Sequence, residues 1–398
     1  MSFQIALTGL NAASTDLTVT SNNIANANTT GFKKSRTEFA DVFAGDSAGI
    51  GAGVRLTNVR QEFTQGNVDI TERQLDLAVS GNGFFVVNDD GALLYSRVGA
   101  FGINTDGFVE NSQGERLQIY APTGQGGFNT GALQDLELTV DVNPPEASTL
   151  VDMAVNLPAN AVAPAATPFD AADPDTFNHS TATVVYDSLG VAHTASYYFV
   201  KSGADWEVNS TIDGTPVGTA QPITFDSNGA LSTPASGIVS FGAFTPTNGA
   251  NPITADLDLI DTTQFGEAFV VNAINPDGRA AGRLENVEID QSGVVFARYS
   301  NGQSSSLGKV ALATFANPEG LAKSSDISYQ ETFSSGTALR GEAGTSNFGI
   351  ISSGALESSN VDLTAELVNL ITSQRLFQAN AQVISTFDAV TQTIINIR

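Results

Sequence analysis

The sequence predicts a mainly β protein of sandwich or small-barrel domains whose N- and C-terminal α-helices pair as a coiled coil. Along the middle of the chain, short apolar runs alternate with turn dipeptides such as Asp90-Gly91 and Asp213-Gly214. This spacing is typical of sandwiches rather than of βαβ units. At both ends, apolar residues recur every seven positions, as paired helices require. At 398 residues, the chain has room for two or three domains.

The terminal helices are predicted from heptads that begin at Phe3 and at Leu356. Residues 359–362 form a capping-box pattern just before the C-terminal run, which favours a helix start there. Seven-residue spacing places each apolar set on one helical face. The residues expected at an assembly interface are Phe3, Leu7, Leu10, Leu17, Ile24, Leu356, Leu363, Leu367, Leu370, Phe377, Ile384 and Phe387.

The neutral outer positions of these helices predict further partners. A second register, Leu376, Val383 and Val390, widens the C-terminal apolar stripe. Most other positions are Ser, Thr, Asn, Gln or Ala, and Asp16 is the only charged residue among the first 32. A helix packed on a globular core would normally show a charged, solvated face. We therefore expect burial on several sides, although two helices packed on one core remain an open alternative.

Everything between the ends reads as β-structure. Residues 83–88 and 93–97 predict a hairpin around Asp90-Gly91, because this dipeptide suits a tight turn. Residues 183–186, 193–200 and 206–212 predict a meander.

The domain organisation follows from composition. Between residues 141 and 275 there are fifteen acids, one base and eleven of the fourteen prolines, so the middle differs from the ends. Residues 157–168 look like a loop or linker. The expected parts are paired helices at 1–30 and 356–398 forming an inner layer, a connecting segment at 31–72 and 335–355, an inner β-domain at 73–144 and 284–334, and an outer acidic β-domain at 145–283.

Charge and cysteine content exclude several classes of function. The chain holds 17 Lys plus Arg against 42 Asp plus Glu, a net charge of −25, which disfavours nucleic acid and anionic membranes as partners. The absence of cysteine excludes disulfides and a cysteine nucleophile. The sequence contains no run of about 18 apolar residues, so no membrane-spanning helix is predicted. The first residues carry no basic region, so no Sec-type signal is expected, which by itself suggests the cytosol.

No motif predicts catalysis, a cofactor or a metal. Residues 45–49 match G-x-S-x-G, but a second glycine cluster follows them and only two histidines exist, so we expect a flexible loop. Asp256, Asp258 and Asp261 lack EF-hand spacing. His193 is expected to be structural, and Trp206 is expected in a core.

The chain ends resemble the axial proteins of the bacterial flagellum. Residues 21–36 are similar to their N-terminal signature, although Ser21 stands where glycine is expected, and residues 354–363 and 374–380 resemble the C-terminal one. Residues 185–214 and 290–321 resemble the hook protein family, whereas distal rod proteins lack this middle domain. The family motif falls on Asn22, Asn23, Asn26, Gly31, Phe32, Lys33, Arg36, Asn360, Gln374, Arg375 and Asn380.

The resemblance implies a non-enzymatic subunit that polymerises with itself into a short curved tube, a universal joint between rod and filament. It implies terminal helices that form the innermost layer and order on assembly. The implied partners are the distal rod protein, the hook cap, the hook–filament junction proteins and the flagellar type III export apparatus. Export by that route would place the chain outside the cell without a cleaved signal, reversing the cytosolic expectation. A distal rod protein or a secreted β-rich adhesin remains the alternative.

Overall fold

The computed structural model describes residues 2–43, 51–124, 126–138, 142–345 and 347–396. The chain divides into two compact units. Unit 1 comprises Met1–Thr139, Asn286–Ala297 and Ser304–Arg398, and unit 2 comprises Val140–Glu285 and Arg298–Gln303. Among the described residues, no helix has the length and apolar character needed to cross a membrane.

Two long helices lie at the ends of unit 1, as the heptads predict. Helix α1 spans Ser2–Ala25 and helix α2 spans Leu363–Asn396. The side chain of Asp362 caps α2, since its Oδ1 accepts hydrogen bonds from the backbone N–H groups of Thr364 at 2.8 Å and Ala365 at 3.2 Å. The helix therefore starts later than its heptad spacing suggests. Leu356 lies instead in a short strand, because Ala355–Glu357 pairs with an earlier segment of the chain.

Unit 1 contains one large curled sheet and several two-stranded ladders. The large sheet follows the order β23 (Leu284–Ile289), β24 (Val294–Tyr299), β25 (Ser304–Thr314), β9 (Arg116–Tyr120), β5 (Phe84–Asp89), β6 (Ala92–Ser96), β27 (Ser328–Gln330) and β26 (Ala322–Lys323). The strands β7 (Gly102–Ile103), β8 (Val109–Glu110), β12 (Gln134–Asp135) and β28 (Leu339–Glu342) are attached off this path. Its aromatic core packs on β5 and β25. The strands before unit 2 are β1 (Ser35–Asp41), β2 (Val54–Gln61), β3 (Val68–Ile70), β4 (Leu77–Ser80), β5 (Phe84–Asp89), β6 (Ala92–Ser96), β7 (Gly102–Ile103), β8 (Val109–Glu110), β9 (Arg116–Tyr120), β10 (Pro122–Thr123), β11 (Gly127–Phe128) and β12 (Gln134–Asp135).

Unit 2 is a sandwich, because its two five-stranded sheets enclose one apolar core around Trp206. One sheet is β14-β15-β16-β17-β18, and the other joins β13 with β19 to β22. Its strands are β13 (Leu150–Pro158), β14 (His179–Tyr186), β15 (Ala192–Ser202), β16 (Asp205–Ile212), β17 (Thr215–Phe225), β18 (Leu231–Thr233), β19 (Ile238–Val239), β20 (Asp256–Asp258), β21 (Thr263–Phe265) and β22 (Val270–Pro276).

The chain after unit 2's main segment adds β23 (Leu284–Ile289), β24 (Val294–Tyr299), β25 (Ser304–Thr314), β26 (Ala322–Lys323), β27 (Ser328–Gln330), β28 (Leu339–Glu342), β29 (Ile350–Ser353) and β30 (Ala355–Glu357). Single 3₁₀ turns occur at Pro174–Thr176 and Pro318–Gly320. Strand β29 pairs with β4, and β30 pairs with β3. The returning chain thus closes unit 1 directly before α2 begins.

The predicted mainly β class, hairpin and meander are confirmed. Strands β5 and β6 form the hairpin, and Asp90 and Gly91 adopt φ of 46° and 98°, the left-handed conformations that a tight turn needs. Strands β14, β15 and β16 form the meander, and Trp206 is fully buried. The predicted loop at 157–168 begins later than expected, since Leu157 and Pro158 complete β13 and Leu157 is buried.

Candidate functional site

Helices α1 and α2 pack against each other in antiparallel order. The ring centroids of Phe3 and Phe387 lie 6.1 Å apart near the free ends of the two helices. At the opposite end of the pair, Asn23 Nδ2 donates to Glu366 Oε2 at 3.3 Å. The predicted pairing of the terminal helices is therefore confirmed.

The seam between the helices includes small and polar side chains. Gly9 lies against Asn380, where an added Cβ would stand 2.8 Å from Asn380 Oδ1. Seven residues further along α1, the carboxylate of Asp16 accepts a hydrogen bond from the hydroxyl of Ser373. The contact between Asn23 and Glu366 follows at the same interval. One close approach and two hydrogen bonds thus repeat with heptad spacing along both helices, a pattern that apolar periodicity alone does not reveal.

The apolar heptads lie beside this seam and are incompletely covered. Leu10, Leu17 and Ile24 of α1 are half-buried, as are Leu370, Phe377 and Ile384 of α2. Phe3 and Leu7 are exposed, at 38% and 40%. The large apolar side chains of α2 that remain at least 40% exposed are Leu363, Leu367, Val368, Ile371, Leu376, Val383, Phe387, Val390, Ile394 and Ile395.

Below the helices, a buried ionic cluster joins the two terminal motifs. Lys33 Nζ lies 2.6 Å from Glu357 Oε1, and both side chains are fully buried. Arg97 Nη1 approaches the same carboxylate at 3.4 Å, so two cations share one anion. Burial lowers the pKa of Lys33 and the pKa of Arg97, although Glu357 opposes both shifts. We call Lys33, Glu357 and Arg97 the clasp.

Backbone groups complete the carboxylate and ammonium coordination in the clasp. Glu357 Oε1 also accepts from the Gly66 N–H at 2.8 Å, and Lys33 Nζ donates to the Thr64 carbonyl at 2.8 Å. Gly31 has φ +66°, and its N–H donates to the Glu357 carbonyl at 2.7 Å. A Cβ at Gly31 would stand 2.6 Å from Val98, which explains the need for glycine here.

Asn360 links the start of α2 to the segment after α1. Its Oδ1 accepts from the Lys34 N–H at 2.8 Å, and its Nδ2 donates to the Glu62 carbonyl at 2.8 Å. Its N–H donates to the Phe32 carbonyl at 3.4 Å. Asn23 acts similarly from α1, bonding Ser35 through both its Oδ1 and its Nδ2. The structure thus brings together motif residues that are more than 300 positions apart in sequence.

The remaining motif residues have local or exposed positions. Asn26 bonds the Asn22 carbonyl within the last turn of α1, and Arg36 forms surface ion pairs with Glu38 at 3.1 Å and Glu62 at 3.5 Å. Gln374 and Arg375 lie exposed on α2. The residues of the site that sequence reasoning missed are Arg97, Glu357, Glu366 and Ser373. The seven-residue spacing of polar side chains along α2 could have indicated Glu366 and Ser373. The need of a buried Lys33 for an acidic partner could have indicated Glu357.

The other sequence candidates occupy structural positions. His193 bonds Asp213 and Asp187 in unit 2, and Asp258 Oδ1 accepts from the Ile260 N–H. The G-x-S-x-G match at 45–49 lies outside the described residues. In the part of the chain that the structure describes, no group of three or more His, Cys, Asp or Glu side chains is arranged to hold a metal.

Four family models match the chain. The models described as flagella basal body rod protein and flagellar basal body rod FlgEFG protein C-terminal match residues 3–33 and 352–397. The flagellar hook protein FlgE/F/G D1 domain matches residues 78–163, and the flagellar basal body protein FlaE D2 domain matches residues 156–279. The terminal matches cover the helices and the motif residues that form the site.

Relatives similar over their full length are all named flagellar hook protein FlgE. The chain is 40% identical to the flagellar hook protein FlgE of Escherichia coli K12 and 39% identical to that of Salmonella typhimurium LT2, with 100% of each chain covered. It is 32% identical to FlgE of Borreliella burgdorferi over 98% of both chains. The fold is similar to the crystal structure of Helicobacter pylori flagellar hook protein FlgE2, with a TM-score of 0.52, 17% identity, and coverage of 73% of this chain and 100% of that one.

Proposed function

The chain belongs to the flagellar hook protein family and is a hook subunit of the flagellum, and from this premise we propose how its parts divide the work. Copies polymerise helically through α1 and α2 into a flexible curved tube. The helices form its inner layer, and the β-units lie outside. The tube acts as a universal joint that transmits torque from rod to filament.

The observation that carries this proposal is the uncovered apolar face of α2. Leu376, Val383 and Val390 recur at seven-residue spacing and are 49% to 54% exposed, while α1 covers another side of the helix. Burying one such side chain contributes roughly 1.5–3 kcal/mol. A repeated apolar stripe on a helix with few charges is suited to neighbouring helices of the same kind.

The composition of the surface supports sliding between β-units. Ser, Thr and Asn are abundant and charged residues make up only 15% of the chain. Neutral polar groups offer many weak contacts without the desolvation cost of buried charges. The acids of unit 2 face water in this proposal and keep the free subunit soluble. The helices, which leave so much apolar surface uncovered in one copy, become fully ordered on assembly.

The remaining partners follow the family. The tube connects to the distal rod protein at one end, and the hook cap and hook–filament junction proteins act at the other. The chain leaves the cell unfolded through the flagellar type III apparatus, and a sequence without cysteine suits that route because no disulfide forms on the way.

Substitution of the exposed stripe tests the proposal. Leu376→Asp places a charge where a neighbouring copy packs, so tube formation in concentrated protein should be lost. Gln378→Asp, at an exposed position two residues away, is the matched control and should still polymerise. Negative-stain electron microscopy with far-UV circular dichroism reads both assembly and fold. Tubes of normal abundance from the folded Leu376→Asp variant would contradict the helical interface.

A further inference from the structure

Unit 1 carries an aromatic cavity that the helical interface does not use. The cavity has a volume of about 670 Å³ and lies between the edges of β5 and β28. Four phenylalanine rings form part of its wall, and Arg97 of the clasp closes one side. The wall includes Phe63, Phe84, Arg97, Phe315, Thr337 and Phe348.

Arg97 gives this cavity one unpaired cationic N–H group. Its Nη2 donates to the Gly81 carbonyl at 3.0 Å, whereas its Nε has no hydrogen-bond partner among the described residues. Its side chain is 95% buried. Its guanidinium carbon lies 5.2 Å from the centre of the Phe84 ring. Because Lys33 takes the closer position on Glu357, the carboxylate contact of Arg97 is the longer one, 3.4 Å against 2.6 Å. The wall therefore favours an occupant that combines an aromatic ring with an acidic group.

The same unit presents such a group directly after β1, where the paired strands β1 and β2 end. Phe43 follows β1 and is 89% exposed. Asp41, the last residue of β1, lies two positions before it and is also exposed. The paired strands lie along α1, with Gly53 against Thr8 and the Val54 N–H donating to Thr8 Oγ1 at 3.2 Å. These contacts hold the start of β2 against the helix.

Phe43 and the cavity lie at opposite ends of the paired strands β1 and β2. Phe63 follows β2, and Arg60 near the end of β2 bonds Glu319 Oε2 at 2.9 Å beside the cavity. Seven to eight strand residues at about 3.3 Å each place Phe43 about 25 Å from Phe63. One copy therefore cannot fill its own cavity with its own Phe43.

We propose that Phe43 of one copy enters the cavity of unit 1 in the next copy, with Asp41 directed toward Arg97. The inference rests on the proposed polymerisation and adds a second contact to the helical one. Because Phe43 and the cavity lie far apart on each copy, each copy engages two different neighbours. Such a heterologous contact propagates into an open polymer instead of closing a dimer.

Cysteine cross-linking tests the contact, because the natural sequence contains no cysteine. Val42→Cys lies next to Phe43 in sequence, and Thr337→Cys lies on the exposed cavity wall. The two single variants are mixed, polymerised and oxidised, and the mixture is expected to yield a disulfide between Cys-bearing chains of the two kinds. Each chain carries a single cysteine, so any disulfide joins two chains, and it requires their Cα atoms to lie roughly 4.4–6.8 Å apart. Neither variant alone should cross-link.

Two further variants separate this contact from its alternatives. Phe43→Ala added to the Val42→Cys chain should lower the cross-linked fraction at least several-fold. Phe333→Ala added to the same Val42→Cys chain is the matched control, since Phe333 is also a fully exposed phenylalanine of unit 1, and it should leave the cross-linked fraction unchanged. Tubes without the mixed cross-link, or a cross-link insensitive to Phe43→Ala, overturn the contact. Failure of the unsubstituted protein to form tubes overturns the proposed function instead.

Discussion

At the scale of single residues, Glu357 joins the start and the end of the chain through one buried carboxylate. It receives Lys33 at 2.6 Å, Arg97 at 3.4 Å and the Gly66 N–H at 2.8 Å. Removing the anion leaves two buried cations without their counter-ion. A cation stranded in this way costs far more than the intact pair contributes, because desolvation is no longer offset.

Glu357→Gln should therefore destabilise unit 1 by about 3–5 kcal/mol. Urea titration followed by far-UV circular dichroism measures the loss. Trp206 is the only tryptophan and is buried in unit 2, so its fluorescence transition should stay in place.

Glu62→Gln is the control for this substitution. Glu62 pairs with Lys34 at 3.2 Å and Arg36 at 3.5 Å on the surface, where such pairs contribute at most about 1 kcal/mol. Equal effects of the two substitutions would contradict the role given to the buried clasp.

A second residue network, in unit 2, responds to pH. His193 Nδ1 lies 2.7 Å from Asp213 Oδ2, and its Nε2 lies 3.4 Å from Asp187 Oδ2. Burial alone would lower the pKa of His193, but the hydrogen bonds to Asp213 and Asp187 outweigh it and raise this pKa above the ordinary value. The hydrogen bond from His193 is the main cause that lowers the pKa of Asp213.

The stability from protonated His193 should be fully present below about pH 6.5 and should disappear as the pH rises through its raised pKa. His193→Gln removes this contribution. Urea unfolding of unit 2, followed by Trp206 fluorescence, should show a wild-type advantage at pH 6 that shrinks by roughly 1 kcal/mol at pH 9. The lowered pKa of His179 affects both proteins equally and cancels. An advantage independent of pH would contradict the charged network.

At the scale of elements, the distance between α1 and α2 depends on Gly9. An alanine there would improve helix propensity by about 1 kcal/mol. Its Cβ, however, would meet Asn380 Oδ1 at 2.8 Å, and the Asn380 side chain is tethered by a bond to the Leu376 carbonyl at 2.9 Å. Steric contact and propensity therefore act in opposite directions at one position.

Gly9→Ala should raise the protein concentration needed for polymerisation several-fold, because the helices no longer approach closely. The double variant Gly9→Ala, Asn380→Ala should restore the original threshold, since it removes the obstructing amide. Sedimentation of polymer across a concentration series measures both thresholds. A lower threshold for the single variant would mean that propensity, rather than close approach, controls assembly.

Heptad spacing predicts the two helices and their pairing, but it misses the polar contacts between them. Apolar periodicity marks Phe3, Leu10 and Leu17, and the Phe3 ring does lie 6.1 Å from that of Phe387. The close approach at Gly9 and the hydrogen bonds of Asp16 and Asn23 fall one position before the apolar residues of the heptad. The reason is physical: small and polar side chains allow two helices to come close, and many of the apolar side chains remain partly exposed. A search for hydrophobic residues alone does not find these polar contacts.

The clasp, too, could be predicted only in part from the sequence. The motif around Lys33 and Asn360 marks the correct segments, because both contact the partner segment. Glu357 and Arg97 were not predicted, since nothing local links them to Lys33. Their roles arise from strand pairing of β30 with β3 and from the position of Arg97 beyond β6, both of which are long-range features of the fold.

At the scale of the whole molecule, acidity and apolar exposure are distributed differently. The segment 141–275 carries fifteen acids and one base, whereas the exposed large apolar residues of the helices lie in unit 1. Net repulsion between free subunits and attraction between helical faces therefore act through separate parts of the chain. This separation allows one sequence to stay soluble when dilute and to polymerise when concentrated.

Electron cryo-microscopy of the purified, concentrated chain tests the central claim most directly. We predict hollow tubes whose innermost density is α-helical, with the stripe of Leu376, Val383 and Val390 in contact with helices of neighbouring copies and both β-units further from the axis. Dispersed single copies at every concentration, or tubes whose inner wall is built from β-units, would contradict it.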